Sequence, residues 1–185
     1  SSYMGKNGTE ESFLNMHGKS PKLLHLATHG FYYTPNRAEN VDYLKGYTDA
    51  MSLSGLVLSG GNAAWLGKPL PKGVLGGILS ANDIARLDLS NTDMVVLSAC
   101  QTGQGKATSE GLYGLQRAFK KAGVGTIVMS LWSVSDKTTS EFMTTFYERL
   151  ADTHNVWNKR KAFEEAKEII RKKHPDPFHW AAFVM

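Results

Sequence analysis

Three short apolar runs constrain most strongly how this chain folds. They are Leu23-Leu24-His25-Leu26-Ala27, Met94-Val95-Val96-Leu97-Ser98-Ala99 and Thr126-Ile127-Val128-Met129-Ser130-Leu131. Each is shorter than an ordinary helix and lacks the alternation of a half-exposed strand, so each predicts a strand buried on both faces. Helical spacing follows the second run. Leu112, Leu115 and Phe119 share a face, Thr108 or Ser109 can cap the start, and Glu110 suits the positive end. Lys120 and Lys121 suit the negative end, and Gly123 terminates.

After the third run, Ser135 or Asp136 caps a helix with Phe142, Met143, Phe146, Tyr147 and Leu150 on its apolar face. Another carries Ala162, Phe163, Ala166, Ile169 and Ile170, and Pro175 and Pro177 end it. Buried strands alternating with amphipathic helices predict an α/β fold, a mainly parallel sheet with helices on both faces. Smaller elements complete the reading: a lead-in helix around residues 10–16, a strand at 55–59, a short helix at 80–87 and a last strand at 180–185. Residues 32–80 otherwise form a long irregular excursion of the kind usually kept for function.

The 185 residues fit one domain. The chain opens on Ser1 and not on Met, so we expect it to be cut from a longer protein. Residues 1–5 have neither the basic region nor the apolar stretch of a signal peptide, and no run of 18 apolar residues offers a membrane span. The net charge of +4 invites a nucleic-acid reading. However, Lys159, Arg160, Lys161, Lys167, Arg171, Lys172 and Lys173 are interleaved with Glu164, Glu165 and Glu168, the pattern of one helix's solvated face. No stacking aromatics accompany them, so we expect no direct nucleic-acid partner and no membrane.

Cys100 is the single cysteine. That excludes a disulfide within the chain and a cysteine-rich zinc site, and it fits a reducing, cytoplasmic setting. A lone cysteine is ordinarily a small buried hydrophobe. Here, however, a strand runs straight into it, and another ends near Thr28-His29-Gly30. In parallel sheets, reactive groups gather beyond the carboxyl ends of the strands. If the two strands are neighbours, imidazole and thiol share one rim, where His29 could activate Cys100. The backbone N–H groups of Gly30 and Cys100 could then receive an oxyanion. His25, four residues before His29, is read as a core histidine on the same strand. A zinc site from His17, His25 and His29 is the weaker alternative. Gly103-Gln104-Gly105 does not complete a dinucleotide fingerprint, and no cofactor is expected.

His25-Leu26-Ala27-Thr28-His29-Gly30 and Leu97-Ser98-Ala99-Cys100-Gln101-Thr102-Gly103 resemble the two signature motifs of the CHAT family, caspase-like domains often joined to tetratricopeptide repeats in prokaryotes. The similarity continues through residues 110–119, through Ser130-Leu131-Trp132-Ser133-Val134-Ser135-Asp136, and through His179-Trp180-Ala181-Ala182-Phe183. The resemblance implies a caspase–separase type of three-layer fold whose N-terminal part lies upstream of Ser1. It also implies a peptidase dyad of His29 and Cys100, with Gly30 in the oxyanion hole.

Two departures stand out. Ser98-Ala99-Cys100 replaces the Gln-Ala-Cys of caspases proper, so aspartate specificity does not follow. Gly76 stands where the family often has Asp.

The expected function is cysteine endopeptidase, acting on protein substrates through a thioester and switched by an adjoining repeat domain or partner. A silent binding or scaffold module, and an amidase or acyltransferase acting on small molecules, are the alternatives. Ser98, Trp132 and Asp136 are candidate substrate-binding residues. Asp136 lies in a turn that looks like one in separases, where an acidic residue receives an arginine. A basic residue before the cut bond is therefore expected, unless Asp136 only caps its helix.

Overall fold

The structure, a computed structural model, describes residues 2–33, 38, 44–70, 75–98, 109–152 and 157–185, with residues 109–112 given as helical backbone alone. The strands are β1 Leu23–Leu26, β2 His29–Tyr32, β3 Ser54–Val57, β4 Ile78–Ser80, β5 Met94–Leu97, β6 Thr126–Ser130 and β7 Phe183–Val184. The helices are α1 Glu10–Leu14, α2 Gly61–Trp65, α3 Ala81–Ala85, α4 Ser109–Lys121, α5 Asp136–Ala151, α6 Lys159–Lys173 and α7 Pro177–Trp180. One sheet has the order β1-β5-β6-β7 and the other β2-β3-β4. This is a mixed α/β fold with a mainly parallel sheet flanked by helices, consistent with the caspase-like three-layer expectation. The three apolar runs of the sequence are β1, β5 and β6. By compactness the chain divides into Ser1–Ile127 and Val128–Met185.

In the first unit β1 and β5 pair in parallel, from Leu23 opposite Met94 to Leu26 opposite Leu97. All four residues of β5 are buried, which explains their unbroken apolar character. The excursion at 32–80 is more ordered than its sequence predicts. It supplies β3, α2 and β4, and β3 pairs antiparallel with both β2 and β4. Helix α3 is closed by a capping box in which Ser80 and Asp83 each bond the other's backbone.

Helix α4 stops as the sequence predicts. Val124 N–H donates to Phe119 O at 3.0 Å and Gly123 N–H to Lys120 O at 3.1 Å, with Gly123 at φ +97°. That is a Schellman termination, which needs the left-handed conformation glycine adopts without a Cβ penalty. Phe119 is fully buried and meets Phe13 of α1 edge-on at 6.5 Å.

The second unit is built around phenylalanines. Phe142 stacks on Phe183 at 4.0 Å and meets Phe163 edge-on at 5.4 Å, and Phe146 meets Phe163 at 5.9 Å. The basic helix α6 pairs its charges along its own surface, Arg160 with Glu164, Lys161 with Glu165, and Lys172 with Glu168. This is the solvated face expected from the interleaved charges. The chain does not run from α6 directly into the last strand. Pro177 opens the one-turn helix α7, with Asp176 as its N-cap.

Beyond α6, His174 Nε2 and Glu141 Oε2 lie 2.9 Å apart, joining the helix end to α5. This bond, with Lys173 and Lys137 nearby, holds the Glu141 carboxyl below its ordinary range. A carboxylate depressed in the folded state stabilises above its unfolded pKa, and that contribution is lost as the pH falls through the folded value. The melting temperature of Glu141→Gln should therefore lie below wild type at about pH 6, and the gap should close below the ordinary glutamate range. A gap that persists unchanged in acid would show that the bond contributes nothing through ionisation.

Candidate functional site

The parallel register of β1 and β5 brings Leu26 and Leu97 side by side, so both strands finish at the same end. Ser98, the next residue, stays attached: its N–H donates to Leu26 O at 3.0 Å. The condition left open by the sequence, whether the two motif-bearing strands are neighbours, is met. Cys100 itself, with residues 99 and 101–108, lies outside the described residues.

His29 does not lie on the strand of His25, where the sequence places it. The parallel pairing with β5 ends at Leu26. After Ala27 and Thr28 the chain enters the second sheet as β2, with His29 opposite Val57 and Gly30 opposite Leu56. The Thr28 hydroxyl donates to Val57 O and anchors the break between the strands. His29 is exposed, and Gly30 is buried.

Antiparallel ladders alternate bonded and non-bonded pairs. Tyr33 N–H donates to Leu53 O at 2.9 Å, which makes 33/53, 31/55 and 29/57 the bonded pairs. Gly30 thus falls at a non-bonded position, and its N–H points away from β3. Among the described residues no strand pairs with that other edge of β2.

His25 belongs to β1 and is not the deeply buried histidine expected. Its side chain is exposed, and its Nε2 lies 2.9 Å from Ser98 Oγ. Enough protein still surrounds the ring for desolvation to lower its pKa, which favours the neutral imidazole. Ser98, a candidate substrate contact by sequence, thus has its hydroxyl engaged by His25. Nothing in the sequence marked this pair. The only available signal was that 25 and 98 flank the aligned strand ends, and that signal appears only once the strands are known to be neighbours. His17 lies apart, its Nδ1 accepting from Asp88 N–H at 3.1 Å. Among the described residues no three His, Cys, Asp or Glu side chains converge as metal ligands.

Glu10 and Glu11 were not singled out by the sequence. Glu10 Oε2 accepts from Gly77 N–H at 2.8 Å, and Glu11 accepts from Leu75 N–H. They hold the segment leading into β4, and so, through β3, the sheet that carries His29. A Cβ at Gly76 would lie 3.9 Å from Glu10 Oε2.

The remaining candidates lie in the second unit. Ser135, not Asp136, is the N-cap of α5, accepting from Thr138 N–H at 3.2 Å. Asp136 is the first helical residue and is exposed, where its charge favours the positive helix end. Trp132 is half-buried. Its indole N–H donates to Phe178 O at 3.0 Å, and its ring lies 6.3 Å from that of Phe178.

Comparison with known proteins gives a family match over the whole chain. The profile of the CHAT domain matches residues 1–185. Tetratricopeptide repeat protein 28 of Mus musculus is 33% identical over 110 residues, which is 58% of this chain and 4% of that protein. The protein of the same name from Homo sapiens is 32% identical over 110 residues, with the same coverage. The chain thus spans only a small part of the length of these curated relatives.

Proposed function

The chain belongs to the CHAT domain family, and on that premise we propose that it is a cysteine endopeptidase in which His29 is the base and Cys100 the nucleophile. The observation that carries the reading is the parallel alignment of β1 and β5. It sends the segments leading to His29 and to Cys100 off the same end of one sheet, where α/β folds collect their chemistry.

In this reading His29 takes the proton from the Cys100 thiol, and the thiolate attacks the peptide carbonyl carbon. Negative charge on the carbonyl oxygen is received by the N–H of Gly30, already turned away from β3, and by that of Cys100. Collapse breaks the C–N bond, and His29 returns its proton to the departing amine. Water, deprotonated by His29, then releases the acyl group from sulfur as a carboxylic acid. The setting is cytoplasmic and reducing, which keeps the thiol free. The repeat proteins among the relatives support control by an adjoining tetratricopeptide repeat domain or a partner protein.

The test is covalent labelling. A peptidyl electrophile should modify Cys100 in the intact protein, and His29→Ala should prevent it. The name shared by the two relatives refers to repeats and to no peptidase, which keeps a silent scaffold as the second reading. A Cys100 that reacts no faster than a free thiol would favour that scaffold.

Specificity has its own test. If Asp136 receives a basic side chain before the cut bond, Asp136→Ala should lose about tenfold or more of the preference for Arg or Lys. Labelling of Cys100 by a small thiol reagent should meanwhile stay at the wild-type rate. An unchanged preference would leave Asp136 with its helix-end role alone.

A further inference from the structure

The bond between His25 and Ser98 joins residues 73 apart in sequence and lies at the end of the strand that leads to Cys100. In a strand, residues two apart share a face. His25 is opposite Val96, so its side chain rises on the same face as those of Val96 and Ser98 and leans toward the strand end. Ser98 is therefore held to β1 twice, by its N–H on Leu26 O at 3.0 Å and by its hydroxyl on His25 Nε2 at 2.9 Å.

Val95 to Leu97 are fixed by burial and by their ladder with β1. Ser98, the first residue beyond β5, is only partly buried, so the packing that orders the strand weakens there. A side-chain bond at that point does what packing no longer does. It fixes the point from which the chain continues toward Cys100, two residues on in sequence.

We propose that His25 and Ser98 form a positioning pair that sets the direction in which Cys100 is delivered to the site. The proposal rests on the peptidase reading and adds two residues to it. Neither touches the reacting atoms. With His25 neutral, Nε2 can accept from the Ser98 hydroxyl. Alternatively it can donate to the hydroxyl in the other tautomer.

A role in placement differs from a role in stability. One partly exposed hydrogen bond contributes little to folding, and its loss should lower Tm by no more than about 4 °C in a chain of this size. Misplacing a nucleophile by a fraction of an ångström to 1 Å, in contrast, can slow a reaction by about 10²-fold.

Cys100 is the only thiol in the sequence, so labelling of the intact protein by iodoacetamide and by a peptidyl electrophile reports on it alone. Ser98→Ala and His25→Ala should each slow acylation-type labelling by the peptidyl electrophile about tenfold or more. The double variant should be no slower than either single one, because each change breaks the same bond. Ser98→Thr, which keeps the hydroxyl, should recover most of the rate.

Tm, measured in parallel, separates misfolding from misplacement, and the Thr variant preserves the test if the Ala variant folds poorly. Full-rate labelling of a folded Ser98→Ala protein, or losses that simply add in the double variant, would overturn the pair. If instead the wild type and His29→Ala react alike, at the rate of a free thiol, the peptidase reading itself fails and takes the pair with it. A slow His29→Ala beside a fast Ser98→Ala rejects the pair alone.

Discussion

Cys100→Ala should abolish peptide cleavage, and His29→Ala should lower it by about 10²–10⁴-fold, the usual contribution of a general base. Without the thiol no thioester can form, so the loss at Cys100 should be at least as large. Both substitutions should leave the fold intact. His29 is exposed at the start of β2, and its backbone pairing with Val57 does not depend on the imidazole. The measurement is a search for new protein termini comparing the intact protein with its Cys100→Ala form, followed by rates on a cleaved peptide. Cleavage at the wild-type rate by Cys100→Ala would remove the mechanism, and equal losses in a protein that no longer folds would say nothing about chemistry. Circular dichroism of both variants therefore belongs in the experiment.

Gly55→Ala should be strongly destabilising. Gly55 lies in β3, the central strand of the antiparallel sheet, opposite Phe31 on one side and Ser80 on the other. A Cβ there would collide with the Leu79 carbonyl oxygen and would stand 2.8 Å from two atoms of the Phe31 ring. The carbonyl belongs to backbone and cannot swing aside, and Phe31 is buried against Leu53, Ile78 and Trp65.

Relief requires moving β4 away from β3, at a cost of about 3 kcal/mol or more, or a Tm about 6–12 °C lower. Because β2 shares this sheet, the change should also reduce peptide cleavage. Gly76→Ala is the control. Its Cβ would meet Ala64 Cβ at 3.7 Å and Glu10 Oε2 at 3.9 Å, both ordinary contacts, so its Tm should stay within about 2 °C of wild type. Equal melting of the two variants would mean that β3 and β4 can separate freely.

The sequence by itself determined the strands and helices whose cause is local. The unbroken apolar runs read as strands, and they are β1, β5 and β6; β5 and the middle of β6 are buried on both faces, whereas β1 leaves His25 exposed. Gly123 could only end a helix, since the turn that closes α4 needs a backbone with positive φ. Ser135 was equally readable as a cap, because its hydroxyl acts on a backbone N–H three residues away. The motifs around His29 and Cys100 carry the family resemblance in the sequence alone.

What only the tertiary structure decided depends on distant pairing. The break at Ala27 and Thr28 was invisible, because nothing local ends a strand there. β1 stops where its partner β5 stops, and β2 starts because β3, some 25 residues on in sequence, offers a new edge. The excursion at 32–80 looked irregular because strands of three and four residues are too short to show a period. They are ordered by the glycines and by Phe31 packing across them. Gly30 carries no sign in its sequence of which way its N–H turns. That is set by the parity of a ladder whose bonded positions are fixed at Tyr33 and Leu53. His25 and Ser98 likewise meet because two strands align in register, a long-range choice made by burial of whole faces and by no residue near either of them.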